Sequence, residues 1–541
     1  MSRSCWDVIG GADSVSRRLV LIRKRLRIFF SARPIRQSRT SLFTHIFNQF
    51  HSLRINVTAP AFTSHNPLGK QLSGLTAHHL SSHHNNGKRL PGQTTLPLTA
   101  HRPIGKWLPG QRPAIQDWIA SKLKQARKRN FAALDPNPKI DAFQKLVNNT
   151  PYLKTLANDM FTQSSKHYDP TGEPALKTFD EFIDVLSLII QSAPPFFDKQ
   201  DPPTAMGMIG FPINAVLDWP MGTVAGYEFW LLPEVNASFK GILDTWGSFL
   251  ESPASQSGLE GWLSEDALHM LATVANTGED GGPTFDEIFV CNPDDKYYGY
   301  KSWDNFFIRE FKDGMRPIVC PDDAPPTPEY PDPTLVIANA CESAPLQVAE
   351  GVKLHDQFWL KSQPYSLDRM LNSNPNTSKL VNGTVYQAFL SAKSYHRWHA
   401  PVSGKVVDIE LVPGSYYSEN YFEGLAGNPD DPDPAAPNYS QPYISAVATR
   451  GIIWIQADNP KIGLMAIVFI GMAEVSGCEF IVEKDAHITK GQQIGMFHFG
   501  GSSHCMIFQP GVKLLWKRPP PYDMDTESNS RVNSLLAVVG N

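Results

Sequence analysis

At about residue 330 the hydrophobic pattern changes period, and that change limits the fold more than any other feature of the chain. Before it, apolar residues recur at helical intervals. Ile115, Trp118, Ile119 and Leu123 form one such series with a basic face between them, and Ile140, Phe143, Leu146 and Val147 repeat it. Pro151 stands where a new helix would start. Thr178-Phe-Asp-Glu181 is a capping-box sequence, whose hydroxyl and carboxylate can satisfy the free amides of a helix start, and an apolar run through Ile190 follows it. Further helical patterns cover 238–251 and 261–275, and a second Thr-Phe-Asp-Glu box occupies 284–287. After 330, short β-rich runs at 334–338, 404–412, 452–456, 464–470 and 479–482 alternate with Gly/Pro turns. The chain reads as α+β, with a helical region over 113–290 that packs on or caps a mainly-β region over 291–541. Two Pro/Asp-rich stretches, 321–333 and 427–442, read as surface loops.

With 541 residues, 41% hydrophobic and 19% charged, the composition is globular and long enough for two or three domains. The longest apolar run, 464–472, is far short of a bilayer span and reads as a buried strand, so a membrane partner is not expected. The six cysteines, Cys5, Cys291, Cys320, Cys341, Cys478 and Cys505, form no CxxC pair. That argues against a disulfide scaffold or zinc ribbon and suits a reducing, cytoplasmic setting.

The net charge of −4 hides an asymmetry. Residues 1–54 hold eleven Lys/Arg against Asp7 and Asp13, a balance of +9, which leaves −13 on the remaining 487 residues. Within this tail, 16–30 interleaves arginine with Leu, Val, Ile and Phe. It has the composition of a mitochondrial transit peptide or of a helix lying on anionic membrane, the alternatives being a disordered tail or a start placed too far upstream. Arginines interrupt its apolar stretch, so it is not a secretory signal. Residues 55–112 continue as a polar linker with a histidine cluster, His78, His79, His83 and His84, that lacks ordered flanks for a metal site. Gly105-Lys106-Trp107 lacks the upstream glycine and the Ser/Thr of a phosphate loop and reads as a turn. Asp430, Asp431 and Asp433 stand among prolines without an EF-hand ligand ladder and read as a solvated loop. No metal and no nucleic-acid partner is expected.

Three segments carry candidate chemistry. In Phe497-His-Phe-Gly-Gly-Ser-Ser503 the glycine pair lets a hydroxyl approach the preceding carbonyl, although Gly-Gly-Ser-Ser is also an ordinary hairpin turn. In Ser394-Tyr-His-Arg-Trp-His-Ala-Pro401, His396 and His399 fit core residues, metal ligands or acid/base groups, and the further ligands of a zinc site are missing. Asn339-Ala-Cys-Glu-Ser343 puts the Glu342 carboxylate among small residues, where it could orient a histidine.

Taken together, Gly501-Ser502-Ser503, Tyr395-His-Arg-Trp-His399-Ala-Pro and Trp303-Asp-Asn-Phe-Phe-Ile-Arg309 with Arg316-Pro317 resemble the phosphatidylserine decarboxylase family of pyruvoyl enzymes. The likeness covers roughly 290–540. It is closer to the fungal soluble branch that contains the tryptophan decarboxylases of psilocybin pathways, a branch with the Cys-Glu-Ser variant and a helical extension. The resemblance implies that Ser502 attacks the Gly501 carbonyl, with His399 as base and Glu342 orienting it. A cut between Gly501 and Ser502 would leave a β chain, 1–501, and an associated α chain, 502–541, headed by a pyruvoyl group. That carbonyl would form a Schiff base with the substrate amine and accept the electrons released with CO₂, so no diffusible cofactor is needed. His396 would protonate the resulting carbanion. Two departures stand out: Glu342-Ser343 replaces the usual Asp-Gly, and Ser503 stands where Thr is common.

The acidic body disfavours docking on anionic lipid. A free aromatic amino acid, tryptophan by resemblance, is therefore the expected substrate, and phosphatidylserine is the alternative. Trp398, Phe497 and Phe499 lie near the chemistry in sequence and read as core packing, so no substrate-binding residue is assigned. A non-catalytic biotinyl or lipoyl carrier, suggested by His399-Ala-Pro-Val-Ser-Gly-Lys405, is disfavoured because no Met-Lys-Met hairpin occurs.

Overall fold

The computed structural model describes residues 112–128, 137–164, 176–197, 207–208, 210–279, 281–356, 365–427, 436–474, 477–499, 503–523 and 528–540. The basic tail, the histidine cluster, the Gly105–Trp107 turn, the Asp430–Asp433 stretch and Gly501-Ser502 lie outside these residues.

Helix α1 (Arg112–Lys128) buries the four apolar residues whose spacing defined it. In α2 (Pro138–Asn149) the Asn137 side chain caps the amides of Lys139 and Ile140 at 2.9 and 3.3 Å. Helix α3 (Pro151–Ser164) opens on its proline. At α4 (Phe179–Ile189), Thr178 Oγ1 accepts from the Glu181 amide at 3.2 Å, but Glu181 reaches back to the amide of Lys177 (2.7 Å), one residue before the box position. Helices α5 (Pro212–Met221) and α6 (Val224–Leu231) escaped the pattern reading. All ten residues of α5 are buried, so it has no amphipathic stripe to read. Helices α7 (Pro233–Glu251) and α8 (Glu265–Ala275) follow, with short helical turns at Leu259–Trp262 and at Phe285–Ile288, where Thr284 and Glu287 form the second capping box.

The β part is built on strands β1 (Val336–Ala338), β2 (Ala344–Glu350), β3 (Thr384–Phe389), β4 (Arg397–His399), β5 (Gly404–Val412), β6 (Arg450–Ala457), β7 (Leu464–Ile470), β8 (Gly477–Phe480), β9 (His487–Ile488), β10 (Gln493–His498), β11 (Ser503–Phe508), β12 (Leu514–Trp516) and β13 (Leu535–Val539). Seven pair antiparallel in the order β9-β5-β6-β7-β11-β3-β2. Two three-stranded sheets, β8-β10-β4 and β12-β13-β1, accompany them. The α+β expectation holds. The 427–442 loop reading does not hold at its end, where Ala436–Tyr439 and Gln441–Val447 are buried helices. Pro442, in the first turn of the second, supplies a fixed φ and needs no donor there.

Strands β7 and β11 are buried on both faces, which explains the unbroken apolar run at 464–470. Their alternate residues divide between two cores. Val468, Ile470, Cys505 and Ile507 join the helical side chains in one cluster, so the helices and one sheet face share a single core. Ile467, Phe469, Met506 and Phe508 join residues of the smaller sheets in the other. Ile467→Ala, at a fully buried site in mid-strand, is expected to lower unfolding stability by about 2–5 kcal/mol in urea titration.

Candidate active site

The segment 303–316, quoted above only for its likeness, supports the histidine motif physically. Ser302 caps the helix Trp303–Phe307 by accepting from the Asn305 amide at 3.0 Å. From this helix Phe307 stacks on the His396 ring (centroids 3.9 Å, 18°). Arg309, buried beneath the rings of Phe289 and Phe306, donates to the carbonyls of Lys393 (2.8 Å) and Ser394 (3.2 Å). Phe311 stacks on Tyr395 at 4.2 Å. Arginine and aromatic contacts from one segment thus fix the backbone and both rings at 393–396. On β4, Trp398 lies flat on Phe469 (3.7 Å, 5°), and Phe497 meets its edge, so both are core residues as expected.

His399 leads out of β4, and its amide donates to the Ala340 carbonyl at 2.9 Å. Its Nδ1 lies 2.9 Å from the Gly491 carbonyl and its Nε2 3.0 Å from the Tyr395 hydroxyl. A carbonyl can only accept, so Nδ1 carries the hydrogen and the Nε2 lone pair accepts from Tyr395. Burial pushes the imidazole below its ordinary range, Gly491 opposes that push, and the charge of Arg397 reinforces it. The ring is therefore neutral at pH 7, with a lone pair on a defined nitrogen. Gly491 has φ +83°, a conformation natural to glycine, in the turn that presents this carbonyl.

His396 is fully buried. Desolvation, then Arg309, drive its pKa well below the ordinary value, while backbone groups of Ser391 and Phe307 pull the other way.

Glu342 is placed differently from expectation. Its Oε1 accepts from Arg316 Nε at 2.7 Å and faces Arg316 Nη2 at 2.5 Å, and its Oε2 accepts from the Val532 amide at 2.8 Å. No hydrogen bond joins it to His399, whose nitrogens are taken by Gly491 and Tyr395. A backbone carbonyl does the orienting that a carboxylate does in a triad. Burial raises the Glu342 carboxyl above the usual glutamate range, opposed by Arg316 and the Val532 amide. Arg316 also donates to the Ala275 and Met315 carbonyls at 2.8 and 2.9 Å and covers the Phe311 ring at 4.1 Å.

Gly501 and Ser502 lie outside the described residues, but their flanks are defined. Phe499 has φ +39°, a left-handed conformation that costs a non-glycine residue of order 1–3 kcal/mol. Ser503 opens β11 in register with Ile470 on β7 and Phe389 on β3, and its hydroxyl accepts from Gln387 at 3.3 Å. His504 is wholly buried, with neither ring nitrogen hydrogen-bonded among the described residues, and desolvation lowers its pKa to about 3. On the preceding strand, His498 Nδ1 lies 3.0 Å from Asp304 and Nε2 2.5 Å from Glu479. Burial opposes its charge, but the hydrogen bonds and charges of Asp304 and Glu479 more than offset this and hold it at about 9.

Sequence reasoning missed Tyr395, Gly491, His498 and His504 as site residues. Tyr395 and His498 stood inside quoted motifs. Gly491 acts through its backbone, 92 positions from its partner, and leaves no side-chain signal. Glu342→Gln would leave Arg316, 6% exposed, without its counter-charge. It is expected to cost about 3–5 kcal/mol in chemical denaturation.

The chain matches a family model described as phosphatidylserine decarboxylase over residues 303–522, and a second of the same description over 137–271. It is 37% identical to the decarboxylase iboD of Amanita muscaria, across 61% of this chain and 91% of the relative. It is 33% identical to the L-tryptophan decarboxylase of Psilocybe cubensis, across 72% of this chain and 84% of the relative. With the L-tryptophan decarboxylase of Psilocybe cyanescens the identity is 37%, across 62% and 75%. Likeness on this scale makes the chain a decarboxylase of the phosphatidylserine decarboxylase family.

Proposed function

We propose that the protein decarboxylates a free aromatic L-amino acid, tryptophan foremost, to the amine and CO₂, using a pyruvoyl group made by self-cleavage between Gly501 and Ser502. The observation that carries this reading is the neutral His399, whose Nε2 lone pair is held ready by the Gly491 carbonyl. Two relatives named as L-tryptophan decarboxylases support the substrate. Among the described residues no helix is long and apolar enough to cross a membrane. Phosphatidylserine is the alternative substrate, in keeping with relatives named phosphatidylserine decarboxylase proenzymes at 27% identity over 44–45% of the chain.

The surroundings suit such a group. A carbonyl that must meet an uncharged amine needs a dry site with neutral bases, and the buried His396 and His504 and the half-buried His399 are all held toward the neutral form. The bound pyruvoyl carbonyl would supply an electrophile for the α-amine and a sink for the electrons left when CO₂ departs. In self-cleavage, His399 Nε2 takes the Ser502 hydroxyl proton as the oxygen attacks the Gly501 carbonyl carbon, and returns it to the Ser502 nitrogen as the C–N bond breaks to leave an ester, whose later elimination and hydrolysis would free the pyruvoyl terminus. Tyr395 must release that nitrogen first, and its phenol, raised by burial, stays protonated to take part in the exchange. During turnover His396 delivers a proton to the substrate α-carbon, as a neutral N–H donor rather than an imidazolium. Phe307 across its face keeps water away. Arg316 and Glu342 act at a distance from His399, by holding the segments that carry it together.

Denaturing electrophoresis of purified protein should give a band about forty residues short of full length and a small fragment with a blocked N-terminus. Ser502→Ala should abolish both, and an active full-length chain would refute the cofactor. CO₂ release measured with tryptophan, tyrosine, phenylalanine and phosphatidylserine micelles ranks the substrates, and activity on micelles alone would overturn the choice made here. His399→Ala is expected to slow cleavage by about 10²–10⁴-fold. Because the His399 pKa lies below its ordinary value, the wild-type cleavage rate should stay level as pH falls from 8 through 6.5, as read from band intensities over time.

A further inference from the structure

A cavity of about 450 Å³ opens between α7 and the end of the seven-stranded sheet, within the range of small-molecule sites. The strand register fixes its place relative to Ser503. Ser503 pairs with Ile470, Ile470 with Arg450, and Arg450 with Val412. Val412 and Thr449 line the cavity, so it sits at the sheet end where β11 begins. Phe499, three residues before Ser502, forms part of its wall and meets Trp246 edge-on at 4.8 Å. Phe499 also lies edge-on to Phe307, the ring that stacks on His396 (centroids 6.1 Å and 3.9 Å). A chain of two phenyl rings, Phe499 and Phe307, thus connects the cavity wall to His396.

Two features define what it would hold. Gly247, inside α7, lines the cavity, and a Cβ built there meets nothing within 4 Å. Glycine weakens a helix interior, and here it leaves room over Trp246 and Leu250. The polar corner is acidic. Ligand atoms of Glu251, Asp304 and His498 lie within 4.8 Å of one another. The cations on the wall are committed, Lys240 to Asp244 at 2.7 Å and His498 to Asp304 and Glu479. A phosphodiester would meet carboxylates with no uncommitted cation among the described lining residues, whereas a flat apolar ring with one N–H or O–H donor meets aromatic walls and acceptors.

We infer that this cavity receives the side chain of the substrate and that it selects a neutral aromatic ring carrying a hydrogen-bond donor. The inference rests on the decarboxylase reading above for its substrate, but binding can be measured apart from chemistry. Gly247→Leu fills the cavity from a helix position that tolerates leucine. The variant should cleave itself as wild type does, while kcat/KM for tryptophan falls at least tenfold. Calorimetric titration of tryptamine into the uncleaved Ser502→Ala chain should show binding that the added Gly247→Leu weakens at least tenfold. A cleaved Gly247→Leu enzyme with unchanged kcat/KM, tryptamine binding indifferent to the substitution, or turnover confined to phosphatidylserine micelles each overturns the assignment. Loss of self-cleavage in the unsubstituted chain refutes the pyruvoyl reading instead and leaves the calorimetric result to decide the cavity.

Discussion

The buried pair of Arg316 and Glu342 is the interaction on which the arrangement of the β part depends. Four stretches of chain meet at it: the end of α8 through the Ala275 carbonyl, the 303–316 segment through Arg316, the turn after β1 through Glu342, and the C-terminal segment through the Val532 amide. A charge pair with side chains 6% and 3% exposed earns little net stability against apolar replacements of the same shape. Removing one partner is another matter, since the remaining charge is stranded. The pair therefore acts as a register device, admitting only the assembly in which all four stretches arrive together.

From that junction the histidine motif is positioned in layers. Arg316 covers Phe311, Phe311 stacks on Tyr395, and Tyr395 donates to His399. In parallel, Arg309 holds the 393–394 carbonyls and Phe307 faces His396. His396 is set by the Phe307 stack and His399 by the Gly491 carbonyl and the Tyr395 hydroxyl. Desolvation, reinforced by the nearby charges of Arg309 and Arg397, keeps both imidazoles neutral, the state in which one can take a proton and the other can donate from N–H. His498, held charged, lies between carboxylates on the cavity side.

Much of the frame was legible in the sequence. The helical series at 115–123 and 140–147 and the strands at 404–412 and 464–470 emerged where periodicity or an unbroken apolar run demanded them. Helix α5, buried all round, and the short strands β2, β3 and β11 were not, because half of what defines them is a partner far along the chain. The site divided the same way. His396 and His399 announced themselves by residue type, but the group that orients His399 is a peptide carbonyl, and the carboxylate suggested for the task is committed to an arginine 26 positions away.

Strand β11 carries a consequence for the life history of the protein. It is paired along all six residues to β7 on one side and β3 on the other, and every one of its side chains is buried. The cut proposed just ahead of it would break no ladder of this strand and shed no fragment, so the native state would not register it. The unfolded state would be changed entirely. What folded once as a first-order process would have to re-form by the meeting of two molecules, at a rate set by their concentration rather than by a short tether. Such a protein would retain its shape by slow unfolding, not by reversible equilibrium, and its first folding would be the only efficient one it has.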